Sequence, residues 1–370
     1  MARHGRYARP LVAAWAAVAL ACGGGPADAP PEATPSRAEA TEAAPVIVRP
    51  PTPGPLPCME YDVVDDLLVF DGARAPFGAE LVDFAADLAH LYVAANSVAG
   101  VEAGRVYDLR VSGNHALEEL LNVSPHDVAS FAESQDALLV LRGAARDAVI
   151  TRAEKGRDAA SVVDGSLGAL RVAATSRSRF FAFATRDRVM GPSGALFAFA
   201  PELNVLGLAT AGERAFLLTA RDATSGRVLA AGSDGLPVVL AELDRPARVF
   251  ASDGARLYAV ELGAPARLVA IDLLGAKVDI ARLPDDLGAV VEVTFDSRGV
   301  YVVGAIATAR GDRAARIARV DKAGDPTRVA PIVKSFVGQA TGRLFAADDC
   351  NLYFASGGSL HRQSTRTLGR

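Results

Sequence analysis

Apolar and polar residues alternate with a period of two in many short runs of this chain. In Val291-Glu-Val-Thr-Phe295, Val291, Val293 and Phe295 share one face while Glu292 and Thr294 share the other. That is the spacing of a strand, whose successive side chains point to opposite sides. Tight turns bound the runs. Phe250-Ala-Ser-Asp-Gly-Ala-Arg-Leu-Tyr-Ala-Val260 sets Asp-Gly between two β-prone runs, and the glycine accepts the positive φ that such a turn requires.

The unit recurs as a turn, a polar or small residue and a pair of large apolar residues. It appears as His90-Leu91-Tyr92-Val93, Ala137-Leu138-Leu139-Val140, Arg179-Phe180-Phe181-Ala182 and Ala215-Phe216-Leu217-Leu218. It continues as Arg256-Leu257-Tyr258-Ala259, Gly299-Val300-Tyr301-Val302 and Asn351-Leu352-Tyr353-Phe354. The intervals from Leu91 onward are 47, 42, 36, 41, 43 and 52 residues. A β-rich period near 43 predicts an all-β fold, a β-propeller of seven four-stranded blades, with six or eight as the alternatives.

Within each period a third strand ends at an acidic-glycine turn, as in Asp272-Leu-Leu-Gly275, Asp321-Lys-Ala-Gly324, Asp234-Gly235 and Glu154-Lys-Gly156. Asp bonds the backbone two residues on and Gly tolerates the left-handed region. A fourth strand such as Pro237-Val-Val-Leu240 closes the unit. Residues 143–170 read as turned or partly helical, and 114–122 as either a short helix or an outer strand. The last unit holds three strands, at 343–348, 351–356 and 359–364. Asp66–Phe70 is expected to supply its missing outer strand and so close the ring, which removes exposed sheet edges.

The N-terminus has a different pattern. Residues 1–9 are basic, Leu11–Leu20 are apolar, and Ala19-Leu-Ala-Cys22-Gly23 follows. The apolar run is too short to span a bilayer and fits a secretory signal. The small residues before the cysteine resemble the bacterial lipobox, with Ala19 where leucine is usual. That resemblance implies cleavage before Cys22, lipidation of Cys22 and attachment to the membrane through it. Gly23 in place of aspartate implies an outer-membrane lipoprotein. The alternative is an ordinary signal peptide with Cys22 incidental. Ten of the 21 prolines lie in residues 26–57, and such a stretch forms an extended spacer rather than a core. The chain therefore divides into a signal (1–21), a lipid-anchored linker (22–57) and a propeller domain (58–370).

Composition narrows the chemistry. The net charge is −4 and no Lys/Arg run is present, which argues against nucleic acid. Cys58 and Cys350 stand near the two ends of the domain, and in an exported protein this suggests a disulfide; two free thiols are the alternative. His90, His115, His126 and His361 lack metal-ligand spacing, and the acidic cluster Asp62, Asp65, Asp66 and Asp71 lacks the ordered alternation of a calcium loop. Ser166 lies in Gly165-Ser-Leu-Gly168 without a nucleophile-elbow pattern, and Arg310-Gly-Asp312 is a coincidental tripeptide. No catalytic, cofactor or metal residues are assigned, and no cofactor is expected.

A lipobox, a Pro/Ala linker and degenerate blades together resemble the exported bacterial propeller lipoproteins. Arg221-Asp-Ala-Thr-Ser-Gly-Arg-Val-Leu229 is similar to part of the quinoprotein docking signature, without its tryptophan. The resemblance implies an architecture and no shared activity. The expectation is a non-enzymatic envelope module with a protein partner; the alternative is an exported hydrolase or lyase acting at the channel of the ring.

Overall fold

The computed structural model describes residues 67–71, 79–87, 90–97, 104–110, 117–156, 159–232, 234–307, 313–322, 332–337, 345–356 and 359–365. They form β1 (Leu67–Asp71) and then seven sheets in chain order. Blade 1 holds β2 (Ala79–Ala86), β3 (His90–Ser97), β4 (Arg105–Arg110) and β5 (Leu117–Asn122). Blade 2 holds β6 (Val128–Glu133), β7 (Ala137–Arg142), β8 (Val149–Glu154) and β9 (Ala160–Val162). Blade 3 holds β10 (Arg171–Ala174), β11 (Phe181–Ala184), β12 (Arg188–Gly191) and β13 (Gly194–Ala198).

Blade 4 holds β14 (Val205–Ala211), β15 (Arg214–Ala220), β16 (Gly226–Ala231) and β17 (Pro237–Leu243). Blade 5 holds β18 (Ala247–Ser252), β19 (Leu257–Glu261), β20 (Arg267–Ile271) and β21 (Lys277–Arg282). Blade 6 holds β22 (Ala289–Phe295), β23 (Gly299–Ala307), β24 (Arg313–Asp321) and β25 (Ile332–Val337). Blade 7 holds β26 (Phe345–Ala347), β27 (Asn351–Ser356) and β28 (Ser359–Ser364), and β1 pairs antiparallel with β28 as its fourth strand. The first strand of the ring thus completes the last blade, as the incomplete final unit requires.

The inner strands pack in sequence, β2 on β6 and so on round to β26, and β26 packs back on β2. The core is accordingly not one mass. It is seven apolar layers, each between two neighbouring blades. This explains why the second strands read as unbroken apolar runs. Both faces of β7 and β19 are buried, one against each neighbour, so no polar face is left to mark a period.

One reading that the sequence left open is resolved, and another is corrected. Residues 117–122 form the outer strand β5 and not a helix, because their partner β4 presents a strand edge. In blades 3 and 4 the apolar pair is displaced by one residue. Phe181 and Phe183 face blade 2 while Ala182 faces blade 4; Ala215 and Leu217 face blade 3 while Phe216 faces blade 5. The position that Tyr258 fills in blade 5 is therefore filled by Ala182 and by Phe216. The described residues of the 143–170 unit include a 3₁₀ turn at Ala145–Asp147 between β7 and β8.

Candidate functional site

The inner strands enclose a channel holding a cavity of about 700 Å³. Its charged groups collect where each inner strand turns into the second strand of its blade. Asp87, Glu133, Arg177, Asp253, Asp296 and Asp348 come from six different blades, brought together only by ring closure.

Four of the turns are built alike. The first residue after the inner strand is aspartate in blades 1, 5 and 6, and Asp348 follows β26 in blade 7. One carboxylate oxygen accepts turn amides: His90 N at 2.9 Å for Asp87, Arg256 N at 2.9 Å for Asp253, Arg298 N at 2.7 Å for Asp296 and Asn351 N at 2.6 Å for Asp348. The other oxygen accepts the hydroxyl of a tyrosine five residues on. These are Tyr92 at 3.4 Å, Tyr258 at 3.0 Å, Tyr301 at 2.7 Å and Tyr353 at 3.1 Å. Burial first, and then the aspartates beside them, push all four phenols above their ordinary range.

Blades 5, 6, 7 and 1 are consecutive, so these latches form one arc. The other three blades carry Ser134, Thr175 and Ala211 at the aspartate position and Leu139, Ala182 and Phe216 opposite. Ser134 keeps half of the device: its hydroxyl accepts Ala137 N at 3.1 Å.

Two lysines bind this arc across blade boundaries, and they occupy the same place in their repeats. Lys322 follows β24 of blade 6 and meets Asp253 of blade 5 at 2.6 Å, above the Phe295 ring. Lys155 follows β8 of blade 2 and meets Asp87 of blade 1 at 3.2 Å, above the Tyr92 ring, and also Glu133. Their amides donate to matching carbonyls, Arg298 and Asp136. Inner strands are also tied directly: Asp83 accepts Phe131 N at 3.0 Å and Glu292 accepts Phe345 N at 3.2 Å, each four residues before its turn aspartate.

Electrostatics divides these acids. Burial pushes the Glu133 carboxyl up to about 7 despite Lys155 beside it. Burial likewise raises Asp348 to about 6 against its amide donors. Asp253 is also desolvated, but Lys322 and the turn amides outweigh this and hold it below the usual range.

Of the residues singled out in the sequence, Cys22, Cys58, His115, Asp62, Asp65, Asp66 and the 310–312 tripeptide lie outside the described residues. Cys350 sits in the latch turn of blade 7, its amide donating to Asp348 at 2.7 Å. His90 contacts Asp108 at 2.8 Å and stacks on Tyr92, while His361 stacks on Phe354. Ser166 staples a turn, accepting Ile150 N and donating to the Val163 carbonyl. Asp222, in the quinoprotein-like stretch, caps the turn between β15 and β16 through Thr224 N and Ser225 N. Among the described residues no group of three or more His, Cys, Asp or Glu is arranged to hold a metal ion, and no helix is long and apolar enough to cross a membrane.

No protein-family model matches the chain, and no curated protein sequence does. Solved structures share its fold at low identity. The RRP9 WD40 repeats are 12% identical with a TM-score of 0.56, over 81% of this chain and 97% of that one. A Mycobacterium tuberculosis puromycin-hydrolysing peptidase is 16% identical with a TM-score of 0.53, over 82% of this chain and 53% of the peptidase. A prolyl endopeptidase is 12% identical with a TM-score of 0.51, over 78% and 47%. The chain spans about half the length of each peptidase. The chain is a seven-bladed β-propeller, and a likeness at this level defines the fold alone.

Proposed function

We propose that this chain is an exported, lipid-anchored propeller that binds a protein partner in the cell envelope, as an outer-membrane lipoprotein. Acylated Cys22 holds it to the membrane, and the proline-rich linker to residue 57 sets its distance from the bilayer. Cys58 pairs with Cys350 at the seam where β1 completes blade 7. Cys350 lies in that same blade, immediately before β27, with its amide on Asp348, which supports that pairing.

The observation that carries the binding reading is the use made of the channel carboxylates. Asp87, Asp253, Asp296 and Asp348 cap their own turns and hold tyrosines, and two of them also hold lysines of the next blade. These are the bonds of a ring being held rigid, and a rigid ring displaying turns from seven blades suits recognition. One feature favours the hydrolase or lyase reading: Glu133 is a buried carboxyl at the cavity, raised into the range of a general acid or base. Lys155 ties it to Asp87, however, in the manner of Lys322 on Asp253.

The test is metabolic labelling with an alkyne fatty acid followed by fractionation. The wild-type protein should carry label and sediment with outer membranes. Cys22→Ser should lose label and move to the soluble fraction. Unlabelled, soluble wild-type protein overturns the anchoring. Chemical cross-linking in intact cells tests the partner, and a chain that cross-links to no envelope protein at native abundance overturns that part.

A further inference from the structure

The turns that follow the inner strands are bonded to one another round one face of the ring. Gln135 N of blade 2 donates to the Ser178 carbonyl of blade 3 at 2.9 Å, and Gly212 N of blade 4 to the Gly254 carbonyl of blade 5 at 3.3 Å. The Ser178 hydroxyl donates to the Gly212 carbonyl at 3.4 Å, and Ser297 N of blade 6 donates to Asp349 of blade 7 at 2.6 Å. With the Lys322–Asp253 pair, these bonds link blades 2 to 7 along that face. In blades 3 to 6 these turns and the first residue beyond them carry five exposed arginines, Arg177, Arg179, Arg214, Arg256 and Arg298. The acids there do not match them. Asp296 is buried, Asp253 is held by Lys322, and Glu213 is the one exposed acid of the four turns. Arg177, Arg256 and Arg298 meet no carboxylate among the described residues. Arg179 reaches Asp136 only at 4.0 Å, and Arg214 donates to the Leu273 carbonyl with its guanidinium over the Phe216 ring. On the opposite face Arg146 stands beside Asp147, and Arg188 and Arg221 hold Asp187 and Glu242 at 2.9 and 3.1 Å.

We infer that this arginine-bearing turn face is where the chain takes its partner, and that the partner presents an extended acidic protein segment, rich in aspartate and glutamate. The inference rests on the protein-binding reading above and assigns its surface. Three features specify the occupant. A guanidinium fork pairs with a planar carboxylate through two parallel bonds, so repeated arginines select repeated carboxylates. The arginines come from four consecutive blades, so the ligand is a chain and not a single ion. The turns between third and fourth strands, on the same face, bear Asp234, Asp272 and Asp321, an acidic outer border that keeps an acidic segment over the inner turns. An anionic bilayer is the poorer fit. None of the large apolar side chains exposed among the described residues lies in these four turns, so they offer nothing to insert between lipids.

A randomised peptide library selected on the purified full-length chain tests this. Enriched peptides should be rich in aspartate and glutamate and should weaken in high salt. Arg177→Glu/Arg256→Glu/Arg298→Glu should bind them about tenfold or more less tightly, mainly through slower association. Arg177→Gln/Arg256→Gln/Arg298→Gln removes charge without adding any and should weaken them in the same direction. Arg146→Glu/Arg186→Glu, the same kind of reversal on the opposite face, should bind them within about twofold of the wild type. Peptides without acidic residues, peptides indifferent to both triple variants, or peptides weakened equally by the opposite-face variant would overturn the arginine face and leave the protein-binding reading standing. Failure to enrich any peptide would overturn the face as well, while cross-linking in intact cells decides the protein-binding reading separately. Wild-type binding to phosphatidylglycerol vesicles that the triple variants abolish, with no acidic peptide enriched, would overturn the assigned occupant.

Discussion

The Tyr301 hydroxyl donates to Asp296 Oδ2 at 2.7 Å, and Oδ1 of the same carboxylate caps the amides of Arg298 and Gly299. One side chain thus fixes the turn and anchors the strand that leaves it. Tyr301→Phe removes one buried bond and should destabilise by about 1–3 kcal/mol. Asp296→Ala should destabilise more, since two amides and the phenol lose their acceptor. The double variant approaches the Ala211 and Phe216 arrangement that blade 4 already uses, so its loss should fall short of the sum. Urea unfolding of the four proteins measures this.

The Lys322–Asp253 pair joins blade 6 to blade 5 with both side chains largely out of solvent. Lys322→Met should leave Asp253 uncompensated and destabilise on the order of 3 kcal/mol. Adding Asp253→Asn removes the stranded charge and should recover part of the loss. A double variant no better than the single one would show that the two residues are not coupled.

Stability should fall as pH rises through the weakly acidic range. Glu133 and Asp348 bind a proton more readily in the folded chain, with carboxyls raised to about 7 and about 6. Their contribution is complete below the unfolded carboxylate pKa and is lost as pH rises through those folded values. Thermal midpoints taken across this range should decline, and Glu133→Gln should flatten the upper part of the decline. A slope unchanged in Glu133→Gln would mean that another group carries it.

The Cys58–Cys350 bond would close a loop of almost the whole domain. Cys350→Ser should lower stability by about 4–5 kcal/mol on loop-entropy grounds. Peptide mapping without reductant should recover the two cysteines linked, and two alkylated thiols would contradict the pairing.

The sequence makes the ring legible because local chemistry specifies it. Asp253 and Tyr258 stand five residues apart around an Asp-Gly turn, and that spacing is visible in four blades. It also allows the closing strand to be placed, since the final unit has only three. The register of blades 3 and 4 is not legible, because strands buried on both faces give Phe180 and Phe181 equal claims. The channel is hidden for another reason. Lys155 meets Asp87 across 68 residues, and nothing in the sequence near either one names the other.

Partner capture by a channel-carboxylate variant tests the central claim most directly. If the ring of acids serves to hold the blades, Glu133→Gln should change the pH dependence of unfolding yet cross-link to the wild type's envelope partner within about twofold of the wild-type yield at a temperature where both are folded. A folded Glu133→Gln chain that no longer binds would place recognition at the channel and contradict this account.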